Sequence, residues 1–247
     1  MASNNLPWLA EGASFPDPVL AWDRNSEAPG ILAIGTSLNT STLVDAYSSG
    51  IFPWFSVGQP ILWWSPDPRM VLRPQNYKLH RSLRKKINRF RISHTCEVRV
   101  NSAFESVINA CSSCARLGQA GTWIVPAMQQ AYIDLHHAGF AHSVETWVDG
   151  KLEGGLYCVA IGNAVFGESM FAHSTDASKI ALSALVALCL EHGVALIDCQ
   201  QNTRHLASLG ASEIPRADFL THIHQARQDA GLVWQFSPLY WTHVLSV

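Results

Sequence analysis

The alternation of apolar and polar residues changes its period near residue 140. Three runs alternate as strands do, at residues 142–148, 151–161 and 164–171. Asp149-Gly150 and Gly162-Asn163 separate these runs, and both pairs favour tight hairpin turns because such residues tolerate positive φ. The pattern predicts an antiparallel meander of three strands.

Apolar residues at helical spacing predict several helices around this meander. Ser102 and Glu105 have the spacing of a capping box, in which a hydroxyl and a carboxylate satisfy the first free N–H groups of a helix. Pro126 stands where proline favours the first turn of a helix, and Pro215 directly precedes another. The predicted helices are residues 40–49, 102 to about 117, 126–139, 179–191 and 216–230, with a buried strand at 194–200.

The order of these elements decides the predicted fold class. A meander followed by a helix, a strand and a second helix is typical of an α+β protein with a mixed, mostly antiparallel sheet. The chain has 247 residues and is 48% hydrophobic, which is enough for one large domain or two small ones. We place a boundary near residue 67, which separates a small N-terminal domain (1–67) with an aromatic loop from a larger domain (68–247).

Positive charge is concentrated in one short segment, although the net charge of the chain is −2. No acidic residue stands between Asp67 and Glu97. The segment holds nine of the 17 lysines and arginines: Arg69, Arg73, Lys78, Arg81, Arg84, Lys85, Lys86, Arg89 and Arg91. Such an excess can neutralise phosphates even on a mildly acidic protein. A solvated basic helix face is the alternative, and the charge pattern alone leaves both open.

The cysteines and the apolar runs indicate a reduced, soluble protein. We find no secretory signal, and Cys111-x-x-Cys114 has no second pair to complete a zinc site. The 11 histidines show no metal-ligand spacing. The longest apolar run, residues 180–190, is too short to span a bilayer. We therefore expect a cytoplasmic protein that binds no metal and does not enter a membrane.

Tryptophans cluster in a Pro-rich loop directly before the basic segment. Trp54, Trp63 and Trp64 all lie within residues 50–69. Loops lie on the surface and bury such rings poorly, whereas exposed rings can stack on a planar group such as a nucleobase. Together with the cations, this loop indicates that the end of a nucleic acid is held beside a chemical site.

Asp198 and Gln200 end the buried strand and stand two residues apart. On a strand, that spacing places both side chains on one face, with Ile197 and Cys199 on the other. A carboxylate and an amide together are hard to explain as core. From the residues alone, a structural role for Asp198 as a cap or turn partner stays open.

Seven motifs together resemble the leucyl/phenylalanyl-tRNA–protein transferase family of bacteria. They follow the family's order: GIFPWFS at 50–56, PILWWSPDPR at 60–69, GTWI at 121–124, GESMF at 167–171, ASK at 177–179, LIDCQ at 196–200 and ASLGASEIPR at 207–216. The resemblance implies a small N-terminal domain and an acetyltransferase-like (GNAT) C-terminal domain. It implies an aminoacyltransferase that moves Leu or Phe, and less well Met, from aminoacyl-tRNA to the N-terminal Arg or Lys of an acceptor protein. The product carries a destabilising N-terminus that marks it for proteolysis under the N-end rule.

The resemblance assigns Asp198, Gln200 and Glu168 to catalysis. An aminoacyl ester is already activated, and an α-amine with a pKa of about 7.7–8.0 is partly neutral at pH 7, so positioning and oxyanion stabilisation should dominate. We expect Gln200 to contact the amine or ester, and Asp198 to orient Gln200 and stabilise positive charge on the amine. Glu168 is expected to hold the acceptor's N-terminal amine or basic side chain, with an ion pair to Lys179 or another basic residue as the alternative.

The resemblance also assigns the binding residues. Trp54 and Trp123 match contacts to the 3′-terminal adenosine, and Tyr47 and Tyr132 match the wall of the site. The apolar pocket for the aminoacyl side chain matches residues that also fit plain core positions, namely Leu156, Met170, Leu182, Leu185 and Ile197. The tRNA phosphates are assigned to Arg81, Arg84, Lys85 and Lys86. The family implies no cofactor and suggests a monomer.

Two other functions fit parts of the sequence. An acyl-CoA N-acyltransferase on the same fold needs a Gly-rich turn at a helix start for the pyrophosphate, and no RxxGxG/A-like run is present. A non-catalytic RNA-binding module explains the cations and tryptophans but leaves Asp198, Gln200 and Glu168 without a role. The aminoacyltransferase accounts for all of these features.

Overall fold

The computed structural model describes residues 6–113 and 124–246, which form two β-sheets with helices packed around them. The smaller sheet has the strand order β1-β2-β4-β3, and helix α1 connects β2 to β3. Only β1 and β2 pair in parallel. These elements are β1 (Trp8–Leu9), β2 (Ile31–Gly35), α1 (Thr40–Ser48), β3 (Phe52–Pro53) and β4 (Leu62–Trp64).

The larger sheet has seven strands in the order β11-β5-β10-β9-β8-β7-β6. Every neighbouring pair is antiparallel except β10 with β9. The strands are β5 (Arg69–Leu72), β6 (Cys96–Val100), β7 (Ala141–Val148), β8 (Lys151–Ile161), β9 (Ala164–Ala172), β10 (Ile197–Gln200) and β11 (Ser212–Ile214). This mixed, mostly antiparallel sheet confirms the predicted α+β class, and β7 to β9 are the predicted meander.

Helices cover both faces of the larger sheet. Helices α3 (Phe104–Ser113) and α4 (Pro126–His137) pack on one face, and α5 (Ala177–Glu191) packs on the other. Most of α5 is buried, which explains why its sequence is apolar on nearly every side. At 15 residues α5 falls short of a bilayer's width, and the described ranges contain no other candidate for a membrane span. The remaining helices are α2 (Arg81–Phe90), α6 (Arg204–Ser208), α7 (Arg216–Ala226) and α8 (Trp241–Leu245).

Several predicted bounds are shifted in the structure, and two of these shifts have a clear structural cause. Strand β10 begins at residue 197 rather than 194, because the Val194 N–H bonds back to the Cys189 carbonyl oxygen in α5. Helix α7 ends at residue 226 rather than 230. Its Ala226 carbonyl oxygen accepts the N–H of Asn163, in the turn between β8 and β9, at 2.8 Å. Both ends are therefore set by contacts with other elements, which periodicity does not contain.

The division at residue 67 stays a prediction. Strand β4 of the smaller sheet ends just before it, and β5 of the larger sheet begins just after it. Buried residues from both sides of the boundary nevertheless belong to one hydrophobic core, in which the rings of Tyr47 and Phe166 lie 5.1 Å apart. The first segment thus packs directly on the larger sheet.

Glu145 of β7 satisfies the N–H groups that precede α3, in place of the carboxylate of the predicted capping box. The backbone N–H groups of Ser102 and Ala103 donate to Glu145 Oε1, each at 2.9 Å. The Ser143 hydroxyl and the Trp147 indole N–H add bonds of 2.7 and 2.9 Å, and the Ser102 hydroxyl adds another. Glu145 is fully buried, and these donors replace the hydrogen bonds to water that its carboxylate loses on burial.

Replacing Glu145 with glutamine should lower the free energy of unfolding by about 3 kcal/mol, because an amide turns an N–H₂ group toward donors that the carboxylate satisfied. Glu105, the exposed partner expected from the capping box, should change stability by less than about 0.5 kcal/mol when replaced by glutamine. Urea unfolding of both variants measures the difference. Equal losses would contradict the assignment of the helix start to Glu145.

Candidate active site

Glu168 of β9 is the centre of a cluster of polar side chains from four elements. The Tyr47 hydroxyl donates to Glu168 Oε1 at 2.7 Å, and the Tyr132 hydroxyl lies 3.2 Å from Oε2. Gln200 Nε2 donates to Oε1 at 2.8 Å. The two tyrosines come from α1 and α4, and Gln200 comes from β10. The structure therefore brings together four residues that the sequence assigns to the site.

The number of available protons limits how this cluster is hydrogen-bonded. The hydroxyl oxygens of Tyr47 and Tyr132 also contact each other, and each hydroxyl has only one proton to donate. While Glu168 is ionised, at most two of the three contacts among these tyrosines and Glu168 are therefore hydrogen bonds at one time. A carboxylate has about four acceptor positions, and Tyr47, Tyr132 and Gln200 use at most three. Oε2 of Glu168 keeps room for one further donor.

The pKa of Glu168 is raised from 4.5 to about 7, chiefly because burial disfavours the charged carboxylate. Hydrogen bonds from the two tyrosines and the charge of Arg69 oppose this rise, and the charge of Asp198 adds to it. Burial, followed by the charge of Glu168, raises the pKa of Tyr47 and of Tyr132 well above the usual value. The tyrosines therefore remain donors at neutral pH, where Glu168 can gain or lose a proton.

Gln200 reaches Glu168 from a strained backbone position. Its φ is +60°, and the pairing of β10 with β5 is irregular between Asp198 and Gln200. This left-handed conformation is unfavourable for a residue with a side chain. The Gln200 N–H donates to Asp198 Oδ1 at 2.9 Å, so the Asp198 carboxylate holds the backbone from which the amide extends.

Arg69 holds Asp198 in turn, and its role was missed in the sequence. Arg69 Nε donates to Asp198 Oδ1 at 2.8 Å and Nη2 donates to Oδ2 at 2.6 Å, and neither side chain is exposed. Counting Arg69 among the cations available to phosphates was wrong, because it opens β5, whose four residues are all buried. The apolar run that follows it, Met70-Val71-Leu72, was the available signal.

An apolar cavity of about 300 Å³ opens beside Glu168, which forms part of its wall. Strands β8, β9 and β10 and helix α5 supply most of the lining, and His205 of α6 also lines the cavity. All of the residues predicted to surround the aminoacyl side chain line this one cavity: Leu156, Met170, Leu182, Leu185 and Ile197. Asp198, by contrast, is 1% exposed and lies outside the lining.

Two family models match the chain. One, described as leucyl/phenylalanyl-tRNA protein transferase, matches residues 71–224, and the other, described as the N-terminal domain of that transferase, matches residues 36–67. The first match covers more than half of the chain. The chain belongs to the leucyl/phenylalanyl-tRNA–protein transferase family.

Relatives within this family are similar along nearly the whole chain. A leucyl/phenylalanyl-tRNA–protein transferase from Polaromonas sp. strain JS666 is 63% identical over 241 residues, which make up 98% of this chain and 94% of the relative. One from Albidiferax ferrireducens is 58% identical, over 98% of this chain and 95% of the relative. The match therefore includes the segments that carry Tyr47 and Glu168 alike.

Two solved structures that resemble this transferase do so distantly. A GCN5-related N-acetyltransferase from Kribbella flavida has 14% identity and a TM-score of 0.33, over 68% of this chain and 58% of its own. L-PGS from Bacillus licheniformis has 10% identity and a TM-score of 0.39, over 87% of this chain and 71% of its own. At these TM-scores neither structure adds to the description of the fold.

The aromatic loop of this transferase is packed rather than freely exposed. Trp63 is fully buried, and its indole N–H donates to the Gly35 carbonyl oxygen at 2.8 Å. Trp64 donates its indole N–H to the Trp54 carbonyl oxygen at 2.7 Å, and the two rings lie 5.5 Å apart. Trp54 itself is half-buried, so part of its ring faces solvent. Trp123, the other predicted adenosine contact, lies outside the described residues.

Residues 81–90 of the basic segment form α2, an amphipathic helix. Its cations Lys85, Lys86 and Arg89 line a groove of about 700 Å³ beside the loop that leads into α5. Arg81 and Lys85 are exposed. Arg84 donates to the Leu245 carbonyl oxygen, and Lys86 contacts the Thr175 carbonyl oxygen and lies 3.9 Å from Asp176. The four predicted phosphate-binding residues thus share one helix, but two of them also hold neighbouring segments.

Proposed function

We propose that this protein transfers Leu and Phe, and less well Met, from aminoacyl-tRNA to the N-terminal Arg or Lys of acceptor proteins, which creates a destabilising N-terminus. Membership of the transferase family supports this reaction class. The observation that carries the proposal is Glu168: a half-buried carboxylate with an open acceptor position, in the wall of an apolar cavity of about 300 Å³. The cavity takes the side chain of the aminoacyl group, and the carboxylate takes the amine of the acceptor.

The proposed reaction forms one bond and breaks one. Glu168 binds the α-ammonium of the acceptor through Oε2 and removes a proton from it. The neutral nitrogen attacks the ester carbonyl carbon, and the bond to the ribose oxygen of the tRNA breaks. As that bond breaks, Glu168 returns this proton to the ribose oxygen, and the second proton that the nitrogen loses on becoming an amide passes to solvent. Its pKa of about 7 supports this role, because a proton carrier works best when its pKa lies near the working pH.

Gln200 and Asp198 position the carboxylate in this proposal. The Gln200 amide holds Glu168 Oε1 at 2.8 Å. Asp198 acts through the backbone of Gln200, at 2.9 Å, and both of its oxygens accept from Arg69. This arrangement supports the expected orienting role of Asp198. Direct stabilisation of the amine by Asp198 has less support, because the residue is only 1% exposed.

Tyr47 and Tyr132 also act on Glu168 rather than on the adenosine. Both are fully buried, and neither lines the cavity. Their hydroxyls keep Glu168 in place and favour its ionised form, since donors stabilise a carboxylate. The half-buried Trp54 is the described residue best suited to stack on the 3′-terminal adenosine, a contact worth about 1–3 kcal/mol per base.

The cations of α2 bind phosphates of the tRNA in this proposal, and salt dependence tests it. Replacing the exposed Lys85 with alanine should weaken tRNA binding equally for Leu-, Phe- and Met-tRNA and reduce the slope of log K against log salt by about 0.7–0.9. Filter binding at several salt concentrations measures the slope. The matched control is Arg24→Ala, which removes an exposed cation outside the groove; an equal change in that variant would contradict a specific phosphate contact.

The function itself is tested by supplying donors and acceptors separately. Leu-, Phe- and Met-tRNA with radiolabelled amino acids are offered to peptides that begin with Arg, Lys or Glu, and acetyl-CoA is offered in a parallel reaction. Transfer to the Arg and Lys peptides alone, with Met weakest, is expected. Acetylation from acetyl-CoA without transfer from tRNA would favour the acyl-CoA N-acyltransferase instead.

We further propose that the protein is a monomer and works in the cytoplasm. Light scattering of the purified protein tests whether it is a monomer.

A further inference from the structure

Arg69 connects the candidate active site to β3 and α7, which are far apart along the chain. Its guanidinium lies between two aromatic rings, 4.8 Å from the ring centre of Phe52 in β3 and 4.5 Å from that of Phe219 in α7. Its edge forms the two hydrogen bonds to Asp198 described above. Arg69 thus fixes Asp198 against two elements that do not line the cavity.

Stability alone does not account for this buried ion pair. Removing two charges from water costs free energy that their attraction does not reliably recover, so such pairs are weak evidence of stabilisation. Arg69 also keeps one buried nitrogen, Nη1, that has no hydrogen-bond partner among the described residues, which adds to the cost. Unfavourable features of this kind concentrate where structure is held for function.

Gln200, the strained residue at this site, is the third of four residues connected by hydrogen bonds. Arg69 binds Asp198, Asp198 Oδ1 accepts the Gln200 N–H, and the Gln200 amide binds Glu168. Each link is a hydrogen bond of 2.8 or 2.9 Å. Without the guanidinium, the Asp198 carboxylate is a buried charge with no counterion, and burial in that state is costly enough to move the carboxylate from its present position.

We propose that Arg69 is a positioning residue for aminoacyl transfer: it fixes Asp198, and through Asp198 it keeps Gln200 in the left-handed conformation from which its amide holds Glu168. The expected effect on kcat rests on the proposed function, whereas the expected effect on the conformation of Gln200 does not. Arg69 does not touch the substrate. Its removal should therefore lower kcat and leave KM for tRNA and acceptor nearly unchanged.

The test compares Arg69→Met, Arg69→Lys and Arg216→Met. Arg216 is a matched control because it is also buried, at 8% exposure, but donates to the carbonyl oxygens of Ser65 and Val19 rather than to the site. Hydrogen exchange at the Gln200 N–H, followed by NMR, reports the Asp198 contact directly. The kinetics of Leu transfer to an Arg peptide report the catalytic effect, with rates corrected for the folded fraction of each variant.

In Arg69→Met we expect kcat to fall about 100-fold, the scale of a misplacement of about 1 Å, with KM changed less than threefold. Exchange at the Gln200 N–H should accelerate about tenfold or more relative to the other amides of β10. Arg69→Lys keeps the charge and should therefore show smaller changes in kcat and in Gln200 exchange. Arg216→Met should change neither kcat nor the exchange at Gln200. If Arg69→Met does not fold, Arg69→Lys decides by the same two measurements.

The inference is overturned if Gln200 exchange stays unchanged in the Arg69 variants, or if Arg216→Met shows the same losses, since a purely structural role predicts a general effect. Absence of transfer by the unaltered protein would overturn the proposed function instead. In that case the exchange measurement still decides whether Arg69 holds Gln200.

Discussion

Replacing Glu168 with glutamine is expected to lower kcat/KM for transfer by about 100- to 10,000-fold at pH 7, the usual contribution of a positioned proton carrier. Glutamine has nearly the same shape and can still contact Gln200, but it cannot accept a proton from the acceptor amine. The loss should appear with Leu-, Phe- and Met-tRNA alike, because Glu168 acts on the acceptor. Initial rates with an Arg peptide at several concentrations measure it.

Glu213→Gln is the matched control for this prediction. Glu213 is an exposed carboxylate on β11 of the same sheet, where it accepts from Asn202 at 2.9 Å. Its replacement should leave kcat/KM within about twofold, as is usual for a surface substitution. A Glu168→Gln protein with normal rates would remove Glu168 from the mechanism.

Filling the cavity with Met170→Trp should be the second large effect. Met170 lines the cavity and is half-buried, so a larger side chain can occupy the space without opening a void in the core. The aminoacyl side chain then loses its burial, which is worth about 1.5–3 kcal/mol and corresponds to a loss of about 10- to 150-fold in kcat/KM. Transfer of Phe should suffer more than transfer of Leu.

The control for the cavity is Met170→Leu, which nearly conserves volume and should cost little. Binding of uncharged tRNA should be the same in both variants, because the phosphate contacts lie elsewhere. If Met170→Trp transfers Leu and Phe as the unaltered protein does, the side chain of the aminoacyl group does not enter this cavity.

The parts of the fold that sequence predicts best are those with local causes. The meander is specified by turn pairs such as Asp149-Gly150, which lie next to the strands they connect. The two-residue strands β1 and β3 have no such turn pair beside them, and the partner of β1 lies far along the chain, with Trp8 opposite Ile34. They form because tertiary packing decides the conformation of short segments whose own preference is weak.

The candidate site likewise depends on contacts between residues that are far apart along the chain. The family resemblance named Glu168, Tyr47 and Gln200 singly, but it did not show that they meet at one carboxylate across as many as 121 residues of chain. Arg69 and Asp198 are 129 residues apart, and nothing near either one signals the pair. Contacts of this kind depend on how the sheets and helices assemble, so no pattern along the chain contains them.

The central claim is that Glu168 takes the proton of the acceptor's ammonium group, and the pH dependence of kcat/KM tests it most directly. Leu transfer to an Arg peptide is measured from pH 5.5 to 9 and corrected for hydrolysis of the ester without protein. We expect a bell: the rate rises as Glu168 ionises near pH 7, and falls above about pH 8 as the free α-ammonium, with a pKa of about 7.7–8.0, is lost. The claim would be contradicted by a rate that follows only the fraction of neutral amine and reaches a plateau above pH 8, with the same pH profile in Glu168→Gln.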